Sequence, residues 1–489
     1  MQAYQSHDVL ETPGIAKLRQ FVARELDDKP GRGNYQEFEK RLHSLVAECE
    51  REFLGKKLAS YDIVAEAIQV GGVVYKPVLR SSQTYIAAAG NITVERNLYR
   101  STLGGRCICP LELRAGIIEG LWTPLAARHG MFAMAQLTSE ECETLFDELG
   151  NMRPSHSSLD RLPKRLSERW EEHRADWEDA VRSEEPIPER ATIVAIGLDG
   201  LMVPMKPSNV VRRSPAEAKK IAKSKAAKAG EKGGKKEPKP TVYKEASCGT
   251  VSFFDREGDR LETVYCGRMP EHKKVALTDQ LRDEYLSIVQ AVPGIQPVFL
   301  ADGASENWRF LETLTEVPGK MIVDIWHAYE HLKKGLDAFY GVNATQSRAE
   351  FERLKVILKE QDGGVDQVIR ALKYRHNNST GAAKKDVLEQ LTYFRNQRSR
   401  MDYASYLRDN LPVGSGITEA GCKTVYSPRL KRSGQSWTLK GGQGIVTFRC
   451  LIKSKRWATG WKLVANSYKT RVTVLEDRHG HSAAVGRAA

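Results

Sequence analysis

The chain has no apolar run approaching the roughly 20 residues that a bilayer-spanning helix needs, so no such helix is expected. Its opening residues, Met1-Gln2-Ala3-Tyr4-Gln5-Ser6-His7, lack the basic region and apolar stretch of a secretory signal. The expected location is the cytoplasm, in association with the nucleoid. Its eight cysteines follow no framework, and the one close pair, Cys107 and Cys109, has no second pair at zinc-ribbon spacing. Free thiols in a reducing compartment are expected, with metal at Cys107 and Cys109 the alternative. Acids are in deficit as well: 62 Asp and Glu against 75 Lys and Arg leave a net charge of +13. That excess favours a polyanionic partner, nucleic acid before an acidic membrane surface.

What is present is 489 residues with 41% hydrophobic and 28% charged content, ordinary for a globular chain of several domains. Residues 1–60 read as a helical segment, with Phe38, Leu42, Leu45, Val46, Cys49 and Phe53 on one face. Residues 61–135 read as a small region containing a β-hairpin, Thr84-Tyr85-Ile86 joined to Ile92-Thr93-Val94 through Ala89-Gly90-Asn91. In 136–183, a helix begins after Thr138 and stops at Gly150, and a second opens at Ser155-His156-Ser157-Ser158. That layout is either a helical hairpin or a helix-turn-helix. In the latter, Ser155, His156, Ser157, Ser158 and Arg161 would reach DNA.

A Pro-rich linker over 184–190 leads into Ala191-Thr192-Ile193-Val194-Ala195-Ile196-Gly197-Leu198-Asp199-Gly200, a continuous apolar run of the kind a strand buried on both faces shows. It ends in an acid and a glycine. A Lys-, Ala- and Gly-rich stretch over 206–240 cannot form a core and reads as a basic loop. A strand hairpin and a helix from about 273 to 289 follow. A second apolar run then ends at Ala301-Asp302-Gly303, and a third at Val323-Asp324. Strands alternating with helices imply an α/β sheet, whose ligands gather at the carboxyl ends of the strands. Residues 342–410 read as a helical insertion within a core spanning 184–341 and 411–460, with 461–489 a C-terminal tail.

After the insertion, Gly414-Ser415-Gly416 opens a helix, with Ser415 as its cap, Glu419 in the first turn and Lys423 one turn on. Arg429, Lys431, Arg432 and Trp437 then combine cations for a phosphate backbone with a π-face for a base. Three carboxylates, Asp199, Asp302 and Glu419, come from three separate elements of a basic chain. Such a set suits Mg²⁺, and two ions can clamp both oxygens of an in-line displacement at phosphorus.

These residues resemble the triad of DDE-type transposases, with spacings of 103 and 117 residues. The matches around Leu198-Asp199-Gly200, Tyr243-Lys244-Glu245, Ala301-Asp302-Gly303, Asp324-Ile325-Trp326-His327, Gly414 to Glu419, and Arg429 to Trp437 are similar to a bacterial insertion-sequence group, the Kra type. The resemblance implies an α/β ribonuclease H-like core, a mixed sheet flanked by helices, with an N-terminal α+β DNA-binding region. It also implies Asp199, Asp302 and Glu419 as catalytic metal ligands, two Mg²⁺ or Mn²⁺ ions, and Asp324 and His327 as site neighbours. Lys423, Arg429, Lys431, Arg432 and Trp437 would lie on DNA. The implied activity is cleavage and strand transfer on double-stranded element ends and target DNA, by a homodimer or larger assembly. The alternatives are a catalytically silent DNA-binding protein on the same scaffold, a stand-alone metal-dependent nuclease, and, for His327-Ala328-Tyr329-Glu330-His331, a zinc peptidase.

Overall fold

The computed structural model describes residues 12–27, 34–150, 152–206 and 242–475. The Lys-rich stretch therefore lies outside the described residues, apart from Lys206. The chain forms two compact units, one from the residues up to Trp177 and from Trp457 onward, the other Glu178–Arg456. No helix among the described residues is long and apolar enough to cross a membrane.

In the first unit, α1 (Pro13–Asp27) and α2 (Tyr35–Ala59) precede a five-stranded antiparallel sheet. Its strands include β1 (Ile68–Val70), β2 (Val73–Ala87), β3 (Gly90–Ser101) and β4 (Cys107–Ile108). At the start of β3 every second residue is buried, so Ile92 and Val94 join Leu58, Tyr85 and Cys109 in a core. Burial there pushes the Cys109 thiol up, and neither Cys107 nor Cys109 belongs to a three-ligand cluster among the described residues. Next come α3 (Pro110–Ala115), α4 (Pro124–Gln136), α5 (Ser139–Glu148) and α6 (His156–Glu172). Thr138 and Glu141 form a capping box on α5, and Leu159, Leu162, Leu166 and Trp170 are the buried stripe of α6. Residues 461–475 are no loose tail. Helix Trp457–Ser467 is tied to α6 by Arg169, whose guanidinium donates to Ser467, and Thr473–Val474 adds a strand beside β1.

Helix α7 (Arg174–Glu184) crosses the division between the units, upstream of the Pro-rich linker where the sequence places the boundary. The second unit is built on a five-stranded sheet of β5 (Ile193–Met205), β6 (Val242–Phe254), β7 (Arg260–Arg268), β8 (Gln296–Ala301) and β9 (Lys320–Val323). The spatial order is β7-β6-β5-β8-β9, with the first three antiparallel and β8 and β9 parallel to β5. Its helices are α8 (Val275–Ala291), α9 (Ser305–Leu311) and α10 (Ile325–Tyr340). The insertion supplies α11 (Thr345–Glu360), α12 (Gly364–Asn377), α13 (Gly381–Asn396) and α14 (Tyr403–Arg408). Then follow α15 (Gly416–Val425), α16 (Ser427–Leu430) and α17 (Leu439–Lys453). Helix α8 starts two residues later than the periodicity predicts, because Lys273 and Lys274 have left-handed backbones.

β5 does not stop at Asp199-Gly200. It runs on to Met205, paired with β6 along all its length, whereas its parallel pairing to β8 ends at Gly197 and Leu300. Asp199 thus lies mid-strand, just where the parallel neighbour gives out. Successive strand residues point to opposite faces, and directly paired residues share a face. A Cβ at Gly249 would meet Leu281 of α8, while the neighbouring Thr250 bonds Thr418 of α15 at 2.7 Å. Helices α8 and α15 therefore cover opposite faces. Gly197 pairs with Thr250 and Asp199 with Cys248, so Asp199 points to the α15 face.

Candidate functional site

Helix α15 sits close on the sheet because small residues let it. A Cβ at Gly197 would lie 2.4 Å from Thr418 Oγ1, and one at Gly421 would lie 3.0 Å from Thr250 Cγ2. This docking puts Cys422 Sγ 3.7 Å from Asp199 Oδ2, and Glu419 in the same helix one turn back. Asp199 Oδ1 also accepts the Gly200 amide at 2.7 Å. Burial, helped by the nearby charge of Asp302, raises the Asp199 carboxyl above its ordinary value.

Asp302 follows the last residue of β8. Its Oδ1 accepts Ala304 N at 3.0 Å and Asn307 Nδ2 at 3.3 Å. The insertion grips the same loop from α13 and its continuation. The Tyr393 hydroxyl donates to the Asp302 carbonyl at 3.1 Å, and Gln397 Nε2 to the Gly303 carbonyl at 3.3 Å. Gly303 has φ +102°, and a Cβ there would meet the Tyr393 ring at 2.8 Å, so only glycine suits the position.

Asp324, wholly buried, follows β9 and caps α10. Its Oδ1 accepts the Trp326 amide at 3.0 Å, and Oδ2 accepts Ser415 Oγ at 2.6 Å and His327 Nδ1 at 2.8 Å. Burial raises this carboxyl, but the hydrogen bonds, that of His327 foremost, hold it below its ordinary value. The same bond to Asp324 raises His327 to about 9. Ser415, predicted as the cap of α15, spends its hydroxyl on Asp324 instead and makes no cap bond. It thereby joins the start of α15 to the end of β9.

Among the described residues, the three ligand atoms that converge to within 4.8 Å of one another belong to Asp324, His327 and Glu419. Glu419 is half-buried, and no hydrogen-bond donor reaches its carboxylate among the described residues. The structure thus brings Asp199 and Asp302 into electrostatic contact with each other and with His327, while Glu419 is grouped most tightly with Asp324 and His327. A half-buried carboxylate without a donor, beside the Asp324 carboxylate and the His327 ring, offers oxygen ligands that a hard divalent cation fits.

His331 takes no part. Its Nδ1 lies 2.6 Å from Gln390 Oε1 and its ring stacks on Tyr393 at 3.6 Å, so it serves the packing of the insertion. Trp326, unremarked on its own in the sequence, is 58% exposed at the start of α10 beside this cluster.

The basic segment divides. Lys423 and Lys431 are exposed and Arg432 half-buried, its Nε donating to the Pro428 carbonyl at 2.7 Å. Arg429 is 4% exposed and its guanidinium lies over the half-buried Trp437 ring at 4.9 Å. Trp437 is also built into the fold: its amide donates to the Pro204 carbonyl at 2.9 Å and its Nε1 to the Leu430 carbonyl at 3.0 Å. In the first unit, Ser155 caps α6, Ser158 is buried, and His156 bonds Ser139 at 2.9 Å. Ser157 and Arg161 remain exposed.

No protein-family model matches the chain, and no curated protein matches it. Among solved structures, it is similar to a chain of the Drosophila P element transposase strand transfer complex at 10% identity and a TM-score of 0.24. The match covers 71% of this chain and 81% of that one. A likeness at that level decides neither family nor activity.

Proposed function

We propose that the chain is a DDE-type transposase of an insertion sequence, cutting DNA at element ends and joining them to target DNA on a ribonuclease H-like core. The observation that supports this reading is that acids from distant parts of the chain gather about one end of the sheet, Asp324 and Glu419 within ligand distance and Asp199 and Asp302 in electrostatic reach of each other. Asp199 points to the face covered by the helix of Glu419, and Asp302 stands at the end of the adjacent parallel strand, close enough to perturb Asp199. The β7-β6-β5-β8-β9 order, with three antiparallel strands followed by two parallel ones, supports the ribonuclease H-like assignment. The +13 charge supports a DNA partner.

Asp199, Asp302 and Glu419 would hold two Mg²⁺ or Mn²⁺ ions, with Asp324 and His327 beside Glu419. Bound there, such ions would activate the attacking oxygen and stabilise the leaving one. The chain's own part is to fix the donors: Cys422 and the Gly200 amide orient Asp199, Asn307 and Tyr393 hold the Asp302 loop, and Ser415 locks α15 to Asp324. Water attacks the first phosphodiester and frees a 3′-hydroxyl. That hydroxyl then attacks a target phosphodiester and displaces its 3′-oxygen as a new 3′-hydroxyl, so no covalent protein–DNA intermediate is needed. Lys423, Lys431 and Arg432 would contact the DNA backbone, and α5–α6 would read the ends. Synapsis of two ends implies a homodimer or larger assembly.

The test is cleavage and strand transfer on end-bearing duplexes with Asp199→Ala, Asp302→Asn and Glu419→Gln. Each should abolish both steps while end binding persists. Retained activity in all three refutes the triad. A wild type that binds ends but never cuts is a silent DNA-binding protein, and one that cuts without end preference is a nuclease.

A further inference from the structure

The turn between β7 and α8 holds two successive lysines in the left-handed region, Lys273 at φ 52° and Lys274 at φ 54°. They are the only neighbouring pair of non-glycine residues with positive φ among the described residues. A β-carbon crowds the following carbonyl in this region, and lysine has no short polar group to compensate. Strain of this kind persists where the surroundings demand it.

The conformation aims Lys274 inward. Its side chain is 14% exposed, with Nζ 3.0 Å from Glu245 Oε1 and 3.3 Å from Asn307 Oδ1. Asn307, 4% exposed, turns its Nδ2 to Asp302 Oδ1 at 3.3 Å and to the Leu198 carbonyl at 3.5 Å. A carboxamide has one accepting and one donating end. With its oxygen on the ammonium, its NH₂ must face the carboxylate. The reverse orientation would set oxygen against carboxylate and NH₂ against ammonium. One buried amide therefore ties Asp302 to the carbonyl just before Asp199, and Lys274 decides which way it points. Glu245, the other partner of Lys274, packs where Gly200 has no side chain: a Cβ there would lie 2.1 Å from Glu245 Oε1.

We propose that Lys274 and Asn307 are positioning residues for Asp302, and that the strained backbone at 273–274 is kept to deliver the Lys274 ammonium to Asn307. This rests on the reading of Asp302 as a catalytic metal ligand. Lys274 touches no reacting atom. It acts through the amide from the sheet face opposite α15.

The decisive variant is Lys274→Gly, which relieves the backbone while removing the ammonium. Its unfolding temperature should stay close to that of the wild type, the relieved backbone offsetting the Asn307 oxygen left without the ammonium, while the cleavage rate at saturating Mn²⁺ falls at least about tenfold. The Mn²⁺ concentration for half-maximal rate should rise as well, because the ligand being positioned is itself displaced. Lys274→Arg should recover part of the rate. In the metal-free protein, hydrogen exchange over residues 302–307, where the Ala304 amide is held by Asp302, should quicken in Lys274→Gly and not over β8. An unchanged cleavage rate, a loss fully reversed by added Mn²⁺, or stability and activity falling together overturns the proposal. If the wild type never cleaves, the transposase reading fails, and exchange over 302–307 alone then decides: equal rates in the two proteins overturn the relay.

Discussion

The close docking of α15 on β5 sets where Glu419 stands relative to Asp199, and Gly197→Ala tests it. Gly197 has no left-handed backbone, so the added methyl acts through space alone. It would lie 2.4 Å from Thr418 Oγ1 and 3.3 Å from the Leu300 carbonyl oxygen. Overpacking of this order costs about 1–3 kcal/mol. Because the helix must lift to make room, Glu419 moves with it, and misplacement by about 1 Å costs on the order of 100-fold in rate. Thr418→Ala removes a hydroxyl bonded to Thr250 at 2.7 Å, with both residues at most 3% exposed. Leaving the Thr250 hydroxyl buried and unpaired costs about 1–3 kcal/mol. In the double variant the methyl added at position 197 occupies the vacated space, so the overpacking disappears and the total falls back to that of Thr418→Ala alone. The expected coupling is therefore about 1–3 kcal/mol, read from urea unfolding of the four proteins, with Thr418→Ala restoring cleavage to Gly197→Ala. If the two costs add within about 0.5 kcal/mol, or cleavage does not return, helix and strand are not in this contact.

Tyr393→Phe removes the hydroxyl on the Asp302 carbonyl but keeps the stack on His331. Cleavage should fall about tenfold while stability changes by about 1 kcal/mol, and an unaffected rate would show that the insertion does not govern Asp302. The Glu350 carboxyl is held below its usual range by Arg353 first and by Arg375 as well. A depressed value means stability that is present above the unfolded carboxylate range and lost as pH falls through the folded value. The unfolding-temperature gap between wild type and Glu350→Gln should therefore be widest near neutral pH and close on acidification; a constant gap contradicts the assignment. Arg429→Ala should destabilise by about 2 kcal/mol, because the guanidinium is stacked on Trp437 out of solvent. Lys431→Ala should leave stability within about 0.5 kcal/mol and lower the salt dependence of DNA binding by about one ion. If both variants change only DNA affinity, Arg429 contacts DNA after all.

Some of this architecture was open to a reader of the sequence. Apolar runs ending at Asp302 and Asp324 read as strands closed by acids, because the residues are β-branched or apolar and the acids follow them immediately. The helical periodicity of 342–410 separated the insertion from the sheet. The same logic misplaced the end of the first strand. Asp199-Gly200 has turn chemistry, but β6 continues to pair beyond it, and ladder bonds to a long neighbour outweigh a local preference. Ser415 had the composition of a cap, but its hydroxyl donates to Asp324 and accepts no helix amide.

The local pattern of the chain by itself determined the apolar strand runs, the helical insertion and the acids that follow β8 and β9, since side-chain period and backbone preference are properties of neighbouring residues. Only the tertiary structure decided which acids share a face. That depends on the pairing of Asp199 with Cys248 and of Gly197 with Thr250, and on a helix more than 200 residues downstream docking over them. It also decided that Arg429 turns inward and that Lys274 reaches Asn307 through a strained turn. Burial and strain are settled by whatever packs against a residue, and those partners lie far away in the chain.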